Sequence, residues 1–487
     1  MSMRYRVLLI VLLLAPVLAR AQRAESIHEL ESRKHSEVGS PNAGRADGGG
    51  ESLEVDGERT EPSSQAVPLA PRAMPLAKRV FGWVPYWISS TQWARFDWSA
   101  LTAIGYFSLE ADSTGVARSV RGWPAPALRD SAHARGVKVI LTVTSFGDPS
   151  NRALLSDAGR RTRLVQTIVD SVVGGGGDGV NIDFEVVPGA QRDNLTAFMR
   201  ELATTLRAEI PAAEISMAIP AVDWSSAFDA VALTADGVCD YLIMMGYDYH
   251  WRNSPTAGPV APLAGENLNV TRSVDTWLAT GMTPSKLLLG VPWYGYEWPT
   301  ADQERGSAVT GEGRAILYGD ARTSAATYGR LFDEPTSTPW YRFTRRDAWY
   351  QGWYDDSLSL ALKYRLVNDR GLGGIGIWAL GYQGDAVDVW QGIHQAFDLP
   401  MAIADDGAAH APHLAVDGSS ITFTVAKAMR VRIELHDVLG RRVATIVDGD
   451  LGAGTHRASL PTEALRPGVY LVTGNTFAPA TSLIVRR

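Results

Sequence analysis

The run Gly179-Val180-Asn181-Ile182-Asp183-Phe184-Glu185 sets two carboxylic acids two residues apart. Side chains alternate along a strand, so Val180, Ile182 and Phe184 share one face while Asn181, Asp183 and Glu185 share the other. If the apolar face packs on helices, the polar trio points into a barrel lumen, where unpaired charge is costly unless it is hydrogen-bonded or used for chemistry. Two acids so spaced have Cα atoms roughly 6.5 to 7 Å apart and project the same way, so they cannot flank one sugar ring from opposite sides. In a retaining glycosidase the nucleophile would then come from elsewhere, and an N-acetyl group beside the anomeric carbon could supply it. Glu185 would protonate the glycosidic oxygen, and Asp183 would orient the amide and stabilise the cation formed.

Other side chains could bind such a sugar. Met245 and Tyr247 share a strand face, and in Gly374-Ile-Gly376-Ile-Trp378 two glycines clear space beside one large ring. Apolar sugar faces stack on such rings, and Tyr86 and Trp293 lie at or just beyond other strand ends. Core packing is the alternative for each aromatic residue. The nine histidines are scattered, with no His-Glu-x-x-His, and His250 beside Asp248 suits a hydrogen bond as well as a ligand role. No metal and no cofactor are expected. The single cysteine, Cys239, excludes an internal disulfide and a cysteine-rich zinc site.

These residues need a scaffold. At 487 residues, with 45% hydrophobic and 20% charged residues, the chain can hold a large core and more than one unit, and a net charge of -7 offers no basic surface for nucleic acid. All 15 tryptophans fall between Trp83 and Trp390, which marks the main domain. Within it, short β-branched runs recur at Val80 to Tyr86, Leu101 to Ser108, Val137 to Val143, Gly179 to Glu185, Ile215 to Pro220, Tyr241 to Tyr247, Leu287 to Pro292 and Gly374 to Trp378. Between most of them, stretches such as Asn151 to Val172, Ala190 to Leu206, Thr271 to Thr280 and Ser357 to Asn368 repeat their apolar residues at helical spacing. This α/β alternation predicts a (β/α)8 TIM barrel over residues 79–399, with active residues at the carboxyl ends of its strands. A doubly wound sheet would carry a glycine-rich phosphate loop after an early strand, whereas Gly174 to Gly177 precedes a strand and reads as a flexible connection. Residues 299–350, before the eighth strand, are too long for an ordinary loop and read as either an inserted lobe or a wall of the site.

The segment Asp178-Gly-Val-Asn181-Ile-Asp183-Phe-Glu185 resembles the signature of family 18 glycoside hydrolases, the chitinases and related N-acetylglucosaminidases. Met245-Gly-Tyr247-Asp248 resembles the family's sixth-strand motif, Gly290-Val-Pro-Trp293-Tyr294-Gly295 its seventh and Gly373-Gly-Ile-Gly-Ile-Trp378 its eighth. The resemblance covers about Arg79 to Leu399. It implies Glu185 as general acid and base, Asp183 and Tyr247 as partners in substrate-assisted catalysis, and Asp178, Asn181, Met245, Asp248, Trp378, Trp293 and Tyr86 as substrate-binding residues. The family often carries aspartate where Asn181 stands, so the tuning of Asp183 would differ here. The implied substrate is a β-1,4-linked N-acetylglucosamine polymer, chitin or peptidoglycan, and the alternative is a silent glycan-binding protein on the same barrel.

The ends carry different text. Arg4 and Arg6, the apolar run Val7 to Leu18 and Ala19-Arg20-Ala21 read as a signal peptide over residues 1–21. Residues 22–78 have no Phe, Trp or Tyr and read as a disordered linker or propeptide. From residue 410 to 487, short alternating strands between glycine turns predict a small all-β sandwich. Asp437-Val-Leu-Gly440-Arg441, Pro467-Gly-Val-Tyr470-Leu471 and the final Val485-Arg486-Arg487 resemble the carboxyl-terminal sorting domain of the bacterial type IX secretion system; the rival reading is a carbohydrate-binding sandwich, for which only Phe423, Tyr470 and Phe477 could supply aromatic faces. The expectation is a secreted or outer-surface monomer that meets the secretion machinery through this domain.

Overall fold

The computed structural model describes residues 25–37, 69–70, 76–398, 414–417, 420–425, 427–437, 442–461, 465, 468–474 and 477–485. The expected signal peptide, most of the expected linker and the terminal Arg486-Arg487 lie outside the described residues. The chain forms two compact units, one built on residues 78–390 together with an amino-terminal helix, the other on residues 391–487 with 75–77.

Eight parallel strands close into a barrel. They are β1 (Arg79–Pro85), β2 (Ala103–Ala111), β3 (Lys138–Phe146), β4 (Gly179–Glu185), β5 (Glu214–Pro220), β6 (Tyr241–Met245), β7 (Leu287–Pro292) and β8 (Gly374–Trp378). Each pairs with the next, and β1 pairs with both β2 and β8, Phe81 opposite Ala103 and Arg79 opposite Gly374, so no edge is left open. Every residue of β4 is buried, as a strand covered by helices on one side and a filled lumen on the other requires. Phe146 lies opposite Glu185, which puts the acid at the carboxyl rim.

The flanking helices follow from ordinary signals. The helix Ala158–Gly175 opens with Asp157 accepting the Arg160 N–H, buries Leu164, Val165, Ile168, Val169 and Val172, and stops at Gly176 in the left-handed region (φ 65°). The glycine run is therefore a capped helix end and not a loose connection. A Cβ on Gly175 would lie 2.4 Å from the Trp123 indole nitrogen, so close packing also demands glycine there. At the opposite end of the barrel from Glu185, the buried Glu214 carboxylate is held by Arg79 at 2.6 Å, Lys138 at 3.0 Å and the Tyr241 hydroxyl.

Between β7 and β8 the chain leaves the barrel for a five-stranded antiparallel sheet made of Tyr294–Thr300, Arg314–Leu317, Leu331–Asp333, Thr338–Arg345 and Ala348–Trp353. The helix Tyr318–Tyr328 packs Ala321 and Ala325 against Tyr341 and Phe343 of that sheet. In the second unit, one sheet of three strands and one of four share a core of Ile421, Phe423, Val425, Val431, Ile433, Leu435 and Val472. All seven strands fall within the stretch 410–487 from which short alternating strands are expected.

One part of the presumed linker is structured. Residues Ile27–Glu37 form a helix, α1. The Ser26 hydroxyl accepts the Glu29 N–H at 3.0 Å, Glu29 sits in the first turn, and Lys34 and His35 sit in the last, each favourable for the helix dipole. An isolated helix of 11 residues is marginal in water, so tertiary contact must hold it. Ile27, His28, Leu30, Glu31 and Ser32 are all buried, and the surface they meet is the carboxyl-terminal mouth of the barrel. Linker composition hides this because the buried face is largely polar.

Candidate active site

Strand alternation carries Asn181, Asp183 and Glu185 into the lumen at rising heights. At the lowest level, Asn181 Oδ1 accepts the Trp83 indole N–H at 3.2 Å and its Nδ2 donates to Ser216 Oγ at 2.9 Å. Its amide is thereby used in tying β1, β4 and β5 together, so Asn181 is a lumen support and not a residue facing the mouth. Above it Asp183 is fully buried, and Glu185 at the rim retains 8% exposure.

These two acids converge with Tyr247 on one small volume, and the His28 ring of α1 fills it. His28 Nδ1 lies 2.8 Å from Asp183 Oδ2 and 3.3 Å from Glu185 Oε1, while Nε2 lies 2.8 Å from the Tyr247 hydroxyl. The Trp378 ring lies beneath, with centroids 3.9 Å apart and planes at 31°. Phe107 and Trp83 close the sides at 5.8 and 5.5 Å. His28 and Trp378 are both at 0% exposure.

Asp248 follows β6 with a left-handed backbone (φ 59°), a conformation aspartate tolerates better than most residues. One of its oxygens accepts the Tyr294 hydroxyl and the other the Ile27 backbone N–H at 3.1 Å. Met245 ends β6 opposite Gly290, half-buried at the rim. Tyr86 lies against Trp87 with centroids 4.8 Å apart, under the Arg121 guanidinium, so it borders the mouth without a described contact to α1.

Two expected binding residues lie elsewhere. Asp178 precedes β4, so seven residues of strand, roughly 23 Å at 3.3 Å per residue, separate it from Glu185. Its carboxylate accepts the Val139 N–H at 2.7 Å and bonds His133 Nε2 at 2.8 Å, pinning the start of β3 to the helix Pro126–His133. Trp293 is fully buried edge-on against Trp390 at 4.9 Å, which makes it core. The clearance expected beside Gly376 is also filled, since a Cβ there would meet Ile243 at 2.5 Å.

The electrostatics suit proton chemistry. Burial, and then the charge of Asp183, push the Glu185 carboxyl above its ordinary value, against the opposing pull of His28. Burial raises Asp248 to about 6. For His28 burial works against the charged ring, yet Asp183 and Glu185 outweigh it and raise the imidazole to about 10. His28, Asp183 and Glu185 offer ligand atoms within 4.8 Å of one another, the one such cluster among the described residues, but both ring nitrogens already serve hydrogen bonds.

Sequence reasoning missed His28, Tyr294, Phe107 and Tyr382. Tyr294 stands inside the seventh-strand motif, one residue beyond the tryptophan singled out there, and alternation from Trp293 would have turned it the other way. Nothing in the sequence pointed to His28.

Over residues 83–383 the chain matches the family model described as glycosyl hydrolases family 18. It is 31% identical over 252 residues to the putative sporulation-specific glycosylase YdhD of Bacillus subtilis, covering 49% of this chain and 56% of that protein. It is 26% identical over 295 residues to the cortical fragment-lytic enzyme of the same organism, covering 58% of this chain and 65% of that protein. The chain thus spans about three fifths of the length of these two relatives. Its fold is similar to that of a chitinase from Cycas revoluta solved with (GlcNAc)3, with a TM-score of 0.57, 21% identity, and coverage of 65% of this chain and 99% of that one.

Proposed function

Since the chain belongs to family 18 of the glycosyl hydrolases, we propose that it cleaves β-1,4-linked N-acetylglucosamine glycans, chitin or peptidoglycan, with retention and with the substrate's own acetamido group as nucleophile. The observation that carries this reading is the convergence of Asp183, Glu185 and Tyr247 on one ring-sized volume above Trp378. Trp378 supplies an apolar floor for a sugar face. Tyr247 donates to the acetamido carbonyl, and Asp183 accepts the amide N–H, which turns the carbonyl oxygen toward the anomeric carbon. Asp248, next to Tyr247, serves as an acceptor for sugar hydroxyls.

The raised Glu185 carboxyl keeps its proton for delivery, as a general acid must. It gives that proton to the glycosidic oxygen as the C–O bond breaks and the acetamido oxygen bonds to the anomeric carbon. The negative charge of Asp183 offsets the oxazolinium charge. Glu185, now a carboxylate, takes a proton from water, which attacks the anomeric carbon, opens the oxazolinium ring and restores the acetamide. Two inversions give a β-anomeric product. We also propose that residues 1–21 direct export and that the carboxyl-terminal unit serves as the sorting domain of an outer-surface or secreted protein.

The test is hydrolysis of a chitooligosaccharide series and of purified peptidoglycan by the wild type and by Glu185→Gln, with the anomer first released read by NMR. The expected result is β-anomer from the wild type and a loss of about 10²- to 10⁴-fold in kcat for the variant. Release of α-anomer rules out the acetamido nucleophile. Tight glycan binding without turnover in either protein leaves a binding protein in its place.

A further inference from the structure

We propose that α1 is an intramolecular inhibitor, with His28 seated where the reacting sugar ring would lie, so that the chain is latent until the helix is displaced. The inference rests on the reading of Asp183, Glu185, Tyr247 and Trp378 as the sugar site. His28 engages all four, two through Nδ1, one through Nε2 and one by a close, tilted ring contact. With ring centroids 3.9 Å apart, no sugar can enter between His28 and Trp378. Helix and substrate therefore exclude each other.

The cover extends beyond one ring. The Ile27 N–H occupies Asp248, Glu31 accepts the Tyr382 hydroxyl, Ser32 donates to Glu110 at 3.4 Å, and Arg121 donates to Ser36. His35 lies flat on Trp87, with centroids 4.3 Å apart and planes at 11°. These contacts run from the loop after β1 through the ends of β2 and β6 to the loop after β8. They follow the rim that a polymer would have to cross. Aromatic faces suited to sugars carry histidine rings, and hydrogen-bonding groups suited to hydroxyls carry backbone or side-chain donors and acceptors of the helix.

Charge explains the choice of residue. A site with two carboxylates arranged to stabilise a cationic intermediate also stabilises an imidazolium, whose planar ring matches the stacking floor. Because an isolated helix of this length is marginal, docking is a two-state choice between an ordered bound form and a released form. Because the helix belongs to the same chain as the barrel, docking is intramolecular, which raises its effective concentration at the site. Scission anywhere in residues 38–68 would remove that advantage.

The experiment compares the full chain with its His28→Ala/Leu30→Asp form, in which every barrel residue is unchanged. Two readouts are used: hydrogen exchange of the amides of residues 27–36, and calorimetric binding of N-acetylglucosamine-thiazoline, a stable mimic of the oxazolinium. In the full chain the amides are protected and the thiazoline binds weakly. In the double variant protection is lost and binding tightens at least tenfold, with a matching rise in kcat/KM on a fluorogenic chitobioside. A synthetic peptide of residues 25–37 then inhibits the variant competitively. Unprotected amides in the full chain, or equal thiazoline affinity in both forms, overturn the inference. If neither form binds the thiazoline, the substrate reading fails instead, and the exchange data alone decide the helix: protection that the double variant abolishes upholds docking, and its absence overturns it.

Discussion

His28 and Glu185 meet at one point, and their protonation links catalysis to occlusion. The groups facing the imidazole are Asp183 and Glu185 from β4 and Tyr247 with Asp248 from the end of β6. Docking raises the ring from its ordinary 6.5 to about 10. The docked form thus holds a proton that the released form gives up earlier. The stabilisation is fully present below 6.5 and is lost as pH rises through about 10. The activity of the full chain relative to His28→Ala/Leu30→Asp should therefore climb across that window. A ratio constant from pH 6 to 10 would show that His28 docks neutral. The acids were legible because alternation alone puts Asp183 and Glu185 on one face. Asp178 lies at the far end of its strand, and belonging to a motif says nothing about height along the barrel. Its bonds to Val139 and His133 predict that Asp178→Ala lowers stability by about 1 to 3 kcal/mol with kcat/KM unchanged, as measured by urea denaturation and steady-state kinetics.

At the scale of elements, the eight barrel strands were readable to within a few residues, since buried parallel strands are short, β-branched and bounded by helical repeats. The two glycines of β8 were read as clearing room for a ligand, whereas Gly376 gives room to Ile243, and Gly374 comes close to the Arg79 carbonyl. Gly376→Ala should consequently cost about 1 to 3 kcal/mol through overpacking, seen as a lower thermal midpoint. The helix α1 escaped notice for a different reason. Its buried face contains His28, Glu31 and Ser32, and a polar segment reads as solvated unless the complementary polar surface is known. That surface is the proposed active site, assembled from strands far away in sequence. Charge and hydrogen bonding select its position together with the burial of Ile27 and Leu30.

For the whole molecule, composition identified a large tryptophan-rich unit and a smaller β-rich one, and each has its own core. Scanning calorimetry should resolve two transitions, of which only that of the barrel unit shifts when thiazoline is added to the double variant. A single transition shifting as one would show that the units melt together. Barrel closure through β1 and β8 also sets a schedule. During synthesis α1 emerges before the barrel, but Trp378, the floor on which His28 rests, belongs to the last barrel strand to be made. The helix thus waits for the eighth barrel strand, and its seating reports that the barrel has been completed.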